Sequence, residues 1–241
     1  MTTPRSAKNL SSLALKEQAL SLIEEEDYQA GETLIEAALV KAKEEEWDET
    51  ALSLFMAECA HITAICQFEF GYTDSAILIF QKAAELIADL PAECRMDLTY
   101  QISRHLGLAH LKIEQYHEAA IHFESALFAC DHSKLPIMKA YYGLALILGG
   151  HKAAGEKEFE EGMELAQAIP GACAQVEALK QTLKTPQTGL LTQAPIVFFK
   201  SQVHPREGDP SSKYKDPCSV SPSAQLTEID PAGSLNWRNG S

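Results

Sequence analysis

Between Glu114 and Asp131 the chain reads EQYHEAAIHFESALFACD, and its apolar and small residues (Tyr116, Ala119, Ala120, Phe123, Ala126, Leu127) fall three and four positions apart. That spacing puts them on one face of a helix. The core of the pattern is a small residue, a bulky one four places later, and a small one three places after that. It recurs at Gly31-Ile35-Ala38, Ala76-Phe80-Ala83 and Gly155-Phe159-Gly162. Twelve places before each copy, in a preceding helical run, stands another small residue: Ala19, Ala64, Gly107 and Gly143. Small residues recurring at paired positions let two helix backbones approach closely. Ala119 and Ala126 flank Phe123, so its ring fits between the close-packed backbones of neighbouring helices. The pattern predicts eight helices in four antiparallel pairs.

These residues resemble the tetratricopeptide repeat (TPR) family, whose helix–turn–helix signature includes A-x-x-x-F followed by proline. Leu106-Gly107, Ala119, Phe123 and Ala126 carry the closest likeness, then Ala76-Phe80-Ala83, then Gly143-Gly155-Phe159-Gly162. Ala19-Gly31-Ile35-Ala38 is the most divergent copy. The copies are 45, 43 and 36 residues apart, against about 34 in the family. Pro91, Pro136 and Pro170 close the second to fourth units late. Longer helices account for this, about two extra turns per unit in the first half, as in the extended repeats of the kinesin light chain and of bacterial peptide-sensing regulators. The resemblance implies an all-α fold over residues 8–184, a right-handed α-solenoid of about four TPR-like helix pairs. The charged AKEEEWDET (42–50) is then a helix–helix corner with Asp48 as N-cap. A ninth helix over 171–184 caps the open end, with Glu177, Lys180, Gln181 and Lys184 on its polar face.

Composition changes near Thr185. Residues 1–184 are rich in Ala, Leu and Glu, whereas 185–241 hold many Pro, Ser and Gly without helical period, the signature of a mostly disordered tail. The tail has five basic and five acidic residues, so the repeats carry essentially all of the net charge of −14. That charge argues against nucleic acid as the main partner. No stretch reaches the roughly 18 continuous apolar residues of a membrane span, and the polar N-terminus has no export-signal core. A cytoplasmic protein without membrane insertion is expected. Its six scattered cysteines are read as reduced thiols, most of them small core residues.

The sequence gives little support for an enzyme. It has no P-loop, G-x-S-x-G or G-x-G-x-x-G. His105 and His110 are five apart, as are His117 and His122, whereas helical zinc ligation uses four. The histidines are read as ordinary surface or corner residues, with no metal or other cofactor. Runs such as Glu24-Glu25-Glu26 are read as solvated helix ends.

What the TPR resemblance implies for function lies on the concave groove, lined by the first helix of each pair. Its mid-helix position corresponds to Leu20, Ile65, Leu108 and Leu144, and the position one turn later to Ile23, Phe68, Leu111 and Ile147. Co-chaperone members grip a C-terminal carboxylate there with Lys and Asn. Lys16 and Arg104 stand at such places, but His61 and Ala140 fill the others and the Asn residues are missing, so no clamp of that type is expected. Either this row is inter-helix core, or it forms an apolar patch too long to leave in water. A partner peptide or the chain's own Ile196, Val197, Phe198 and Phe199, docking on the groove, would cover it. The expected function is a non-catalytic scaffold or adaptor binding a peptide or amphipathic segment of a protein partner. The alternative is a regulatory or assembly subunit, or a secretion-type chaperone, recognising its partner through the convex face or the tail.

Overall fold

The computed structural model describes residues 10–184, and these form nine α-helices. In chain order they are α1 (Ser12–Glu24), α2 (Tyr28–Ala42), α3 (Glu49–Glu69), α4 (Thr73–Ile87), α5 (Ala92–Lys112), α6 (Tyr116–Ala129), α7 (Leu135–Leu148), α8 (Lys152–Ala166) and α9 (Ala172–Lys184). The extra repeat length is real but lies in the second and third hairpins, not in the first half as expected: α3 and α5 have 21 residues against 13 in α1 and 14 in α7.

Starts and stops follow local chemistry. Ser11, Asp27 and Asp48 cap α1, α2 and α3 by accepting the backbone N–H of Ala14, Ala30 and Ala51, the usual role of a short polar side chain before a helix. All four odd-to-even turns are closed alike. A residue of positive φ (Glu26, Gly71, Glu114, Gly150) follows the odd helix. Two backbone N–H groups then reach back across it, as Glu114 N to Leu111 O and Gln115 N to His110 O in the third turn. This paired closure satisfies carbonyls that the helix end leaves open.

Each odd helix packs along the even helix that follows, giving the hairpins α1–α2, α3–α4, α5–α6 and α7–α8. The hairpins then stack unevenly. α3 also touches α1 and α5, and α7 touches α9. Among the described residues no two even helices pack together beyond a glancing contact. Odd helices therefore form an inner row and even helices a spread outer row, which is how stacked hairpins curve into a solenoid.

The small residues hold each hairpin together. Ala19, Ala38, Ala64, Ala76, Ala83, Ala119 and Ala126 are fully buried. A methyl group added at Gly143 or Gly155 would come within 2.6 Å of the other's carbonyl oxygen. At Gly107 the neighbour is instead the Phe123 ring, 2.5 Å from such a methyl. That ring is fully buried and stacks on Tyr141 at 5.3 Å. α9 closes the far end, burying Ala172, Val176 and Leu179, with Lys180 and Gln181 in solvent.

Three sequence readings meet the structure here. α3 is long and apolar enough for a membrane span, with a window of mean hydropathy 1.4, but half of that window is buried within the fold, as befits a core helix. The expectation that most cysteines are core residues is corrected: of the described ones only Cys59 and Cys66 are buried, Cys94 and Cys130 are partly so, and Cys173 is exposed. The expectation of surface or corner histidines holds for His117, His132 and His151, which are exposed, and is corrected for His61, His105 and His110, which are buried.

Candidate functional site

The inner row is built from side chains that bridge successive odd helices. Lys16 on α1 pairs with Glu58 on α3. Lys112 on α5 donates to the Phe68 carbonyl on α3 at 3.2 Å and lies 4.2 Å over the Phe68 ring. At the loop before α7, Lys134 bonds Asp97 on α5 at 3.3 Å and covers the Tyr100 ring at 4.6 Å.

Between α3 and α5 lies a buried polar chain. His61 Nε2 is 3.0 Å from His105 Nδ1, which is itself 2.8 Å from the Gln101 carbonyl oxygen. His105 Nε2 is 3.2 Å from Arg104 Nη1. The donors and acceptors can be assigned from chemistry. A guanidinium only donates and a carbonyl only accepts. His105 therefore carries its proton on Nδ1, donates it between Gln101 and His61, and accepts from Arg104 at Nε2. His61 in turn accepts at Nε2. Arg104 also bonds the Tyr141 hydroxyl on α7. The His105 ring stacks on Phe80 at 5.7 Å with 8° between the planes.

This arrangement holds both imidazoles neutral. Burial pushes His61 down to about 4, and the charge of Arg104 adds to it, against a small opposing pull from Asp97. His105 is held well below its usual range by burial, then Arg104, then His61. A further proton on either ring would set one N–H against another. The chain thus fixes direction and register between the second and third hairpins.

The sequence-predicted groove residues fall into two sets. Ile23, Ile65, Phe68, Leu111 and Leu144 are buried, and Ile23, for example, packs in the core shared by the first three helices. Leu20 is 41% exposed, and Leu108 and Ile147 are half-buried. The eight residues are therefore not one open strip; most of the row is inter-helix core. Leu20 and Leu108 lie one turn beyond Lys16 and Arg104 and share their face. Arg104 is buried in the polar chain, and Lys16 is tied to Glu58, so both cations of the would-be clamp are engaged inside the protein. Ile196, Val197, Phe198 and Phe199 lie outside the described residues. His105 and Tyr141 were not singled out as site residues, although His61 was placed at the clamp position where Lys16 and Arg104 stand. What the sequence lacked was any sign that α3 and α5 bring the two histidines together.

The outer row exposes apolar side chains that the sequence analysis did not single out. Leu78 on α4 and Ile121 and Phe128 on α6 are 61%, 43% and 82% exposed. Among the described residues no group of three or more His, Cys, Asp or Glu side chains is arranged to hold a metal ion.

No family model matches the chain, and no curated protein does. Two solved structures resemble it along most of their length. One is MamA from Desulfovibrio magneticus RS-1, from its residue 41 to the end, at a TM-score of 0.52 and 12% identity, covering 76% of this chain and 90% of that one. The other is the MamA RS-1 ArsTM double mutant, at 0.50 and 14%, covering 76% and 89%. The fold is a TPR-like α-solenoid. At these identities the likeness is one of architecture.

Proposed function

We propose that this protein is a non-catalytic interaction scaffold that holds a peptide or amphipathic segment of a protein partner along its inner row. The observation that supports the reading is the composition of that face. Lys16 and Arg104 are already bonded within the chain, so the face offers no free clamp for a carboxylate, while Leu20, Leu108 and Ile147 remain open to apolar contact. A segment presenting apolar side chains one or two turns apart fits such a surface.

The outer face supports a second reading, an assembly or regulatory subunit recognised from outside. Phe128 is the most exposed large apolar side chain among the described residues, and Leu78 and Ile121 also lie open on the same outer row.

Capture of a binding partner from native lysate by the full chain, compared with Leu20→Asp and Phe128→Asp, separates the two. Both positions are exposed enough to leave the fold intact. Loss of the partner with Leu20→Asp alone supports the inner row, and loss with Phe128→Asp alone supports the outer face. A partner retained by both variants removes both readings.

A further inference from the structure

The second odd-to-even corner is aromatic where the other three are not. Phe70, Gly71 and Tyr72 join α3 to α4, and Tyr28, the first residue of α2, meets them from the preceding hairpin. Tyr28 and Phe70 stand edge to face, with centroids 6.2 Å apart and planes at 81°. Phe70 and Tyr72 follow at 6.5 Å and 60°. Counted from the residue of positive φ, the places of Phe70 and Tyr72 hold Glu25 and Asp27, Ile113 and Gln115, or Gly149 and His151 in the other corners. The rings are not shut away: Phe70 is 39% exposed and Tyr72 63%. Tyr72 stands at the N-cap of α4 but makes no capping bond, so its side chain serves neither the core nor the helix start. One turn along from Tyr28 and from Phe70, Gln67 Nε2 donates to Glu32 Oε1 at 2.6 Å. That bond ties α3 to α2 and sets the rings of the two hairpins against each other.

Negative charge converges on the same rings from both corners. Burial raises the Tyr28 hydroxyl, and Glu69 of α3 and then Glu26 of the first corner raise it further. Both carboxylates therefore lie close to the first ring. Burial also raises Glu69, Lys112 opposes that, and Glu26 adds to it. Lys112 does not neutralise the site by contact, because its ammonium is bonded to the Phe68 carbonyl and lies over the Phe68 ring. The half-buried Glu69 carboxylate is thus held in a partly desolvated place, and no donor of the described chain reaches its Oε1. Removing a carboxylate from water without a partner is costly. The fold bears that cost beside the most exposed aromatic corner it has.

We propose that this aromatic corner docks an arginine side chain of a protein partner, seated on the open ring surfaces of Tyr72 and Phe70 with Glu69 and Glu26 supplying the opposite charge. The exposed rings make the contact, and the carboxylates set its sign. A cation within about 6 Å of a ring centroid is drawn to the negative face of the ring. A guanidinium also lies flat on that face and keeps its charge at every relevant pH. An ammonium has the charge but not the plane. An apolar side chain would cover the rings and leave the carboxylates unanswered, and an acidic one would be repelled. The protein's charge of −14 draws a cationic partner in the same sense. The proposal rests on the scaffold reading only in taking the arginine to belong to a partner, and it does not depend on which row that partner follows.

The test uses the full chain with ring-labelled tyrosine and follows the Tyr28 and Tyr72 signals by NMR. N-acetyl-arginine methylamide is titrated against its uncharged isostere, N-acetyl-citrulline methylamide, and against N-acetyl-lysine methylamide. The arginine probe is expected to shift both rings saturably. The citrulline probe is expected to bind about tenfold more weakly for want of charge, with lysine between the two. Two variants separate binding from folding. Tyr72→Asn puts a capping residue at the N-cap of α4, so it keeps or raises the melting temperature. It also removes the most exposed ring, and the arginine probe, read at Tyr28, is expected to weaken about fivefold. Glu69→Gln keeps the shape of the side chain, removes the half-buried charge without loss of stability, and is expected to weaken the arginine probe about tenfold. No saturable shift with arginine, equal binding of citrulline or lysine, or unchanged affinity in either variant would each overturn the proposal. None of these outcomes bears on the inner-row reading, which the Leu20 variant tests by itself.

Discussion

The joint between α3 and α5 and the joint between α7 and α8 hold helices together by opposite means. At α7–α8, Gly143 and Gly155 remove side chains altogether, so backbone meets backbone and shape alone sets the register. At α3–α5, His61, His105 and Arg104 fill the contact with polar groups whose donors and acceptors match in only one order. The first joint is insensitive to pH and intolerant of volume. The second tolerates some change of shape but depends on where its protons sit. A solenoid has only neighbour contacts to fix each hairpin on the next, and this one uses both kinds.

The steric joint is the more fragile to substitution. Gly155→Ala places a methyl 2.5 Å from the Gly143 carbonyl oxygen and 2.8 Å from the Ile147 nitrogen. Neither atom yields without moving a helix. The expected loss is about 3 kcal/mol or more, a large part of the stability of an ordinary domain. Urea denaturation measures it, and a loss under about 1 kcal/mol would show that the two helices slide apart freely.

The polar joint is exposed by acid instead. His61 falls from an ordinary 6.5 to about 4 on folding. The unfolded chain therefore binds the proton more readily than the folded one, and stability is complete above pH 6.5 and lost as pH falls from 6.5 through 4. The shift corresponds to about 3 kcal/mol from this group, and His105 adds to it in the same direction. Melting curves recorded from pH 7 to pH 4 should show this slope, and His61→Leu should flatten it. An equal slope in that variant would place the acid sensitivity elsewhere.

Gly107 lies between the two extremes. Its absent methyl would meet the Phe123 ring, not backbone, and a ring held by stacking on Tyr141 can tilt. Gly107→Ala is expected to cost about 1–2 kcal/mol, less than Gly155→Ala although the starting distance is the same. A larger loss at Gly107 would reverse the argument that the kind of neighbour decides.

The steric joint was legible in the sequence and the polar one was not. Gly143, Gly155 and Gly162 stand at a fixed spacing, and spacing is what a helix converts into a face. The same periodicity placed Phe123 between Ala119 and Ala126, and the spacing of the copies called for about two extra turns per unit, which the structure locates in α3 and α5. His61 and His105 lie 44 residues apart. Nothing local distinguishes them from surface histidines, and their meeting depends on how far one hairpin rotates against the next. That rotation is also why the groove row was only partly readable. Periodicity gives the helix face, but whether Ile65 or Leu144 ends in core or in solvent follows from the curvature of the stack. Leu20 stays open because α1 begins the inner row and no earlier described helix covers it.

The smallest effect concerns the corners, where packing decides little and backbone conformation decides much. Residues at the same turn position have φ of 64° at Glu26, 87° at Gly71, 60° at Glu114 and 88° at Gly150. The left-handed region suits glycine and strains a residue with a Cβ. Two corners therefore use the unstrained residue and two do not. Glu26→Gly relieves the strain, while the greater freedom of glycine in the unfolded chain takes part of the gain back. A net rise of about 0.5–1 kcal/mol is expected, read as a shift of the urea midpoint with unchanged slope. Glycine would then be favoured by backbone conformation at a corner and required by crowding at α7–α8, two separate reasons for one residue type in one protein. A fall in stability with Glu26→Gly would mean that the Glu26 side chain holds the first corner through contacts worth more than its backbone strain.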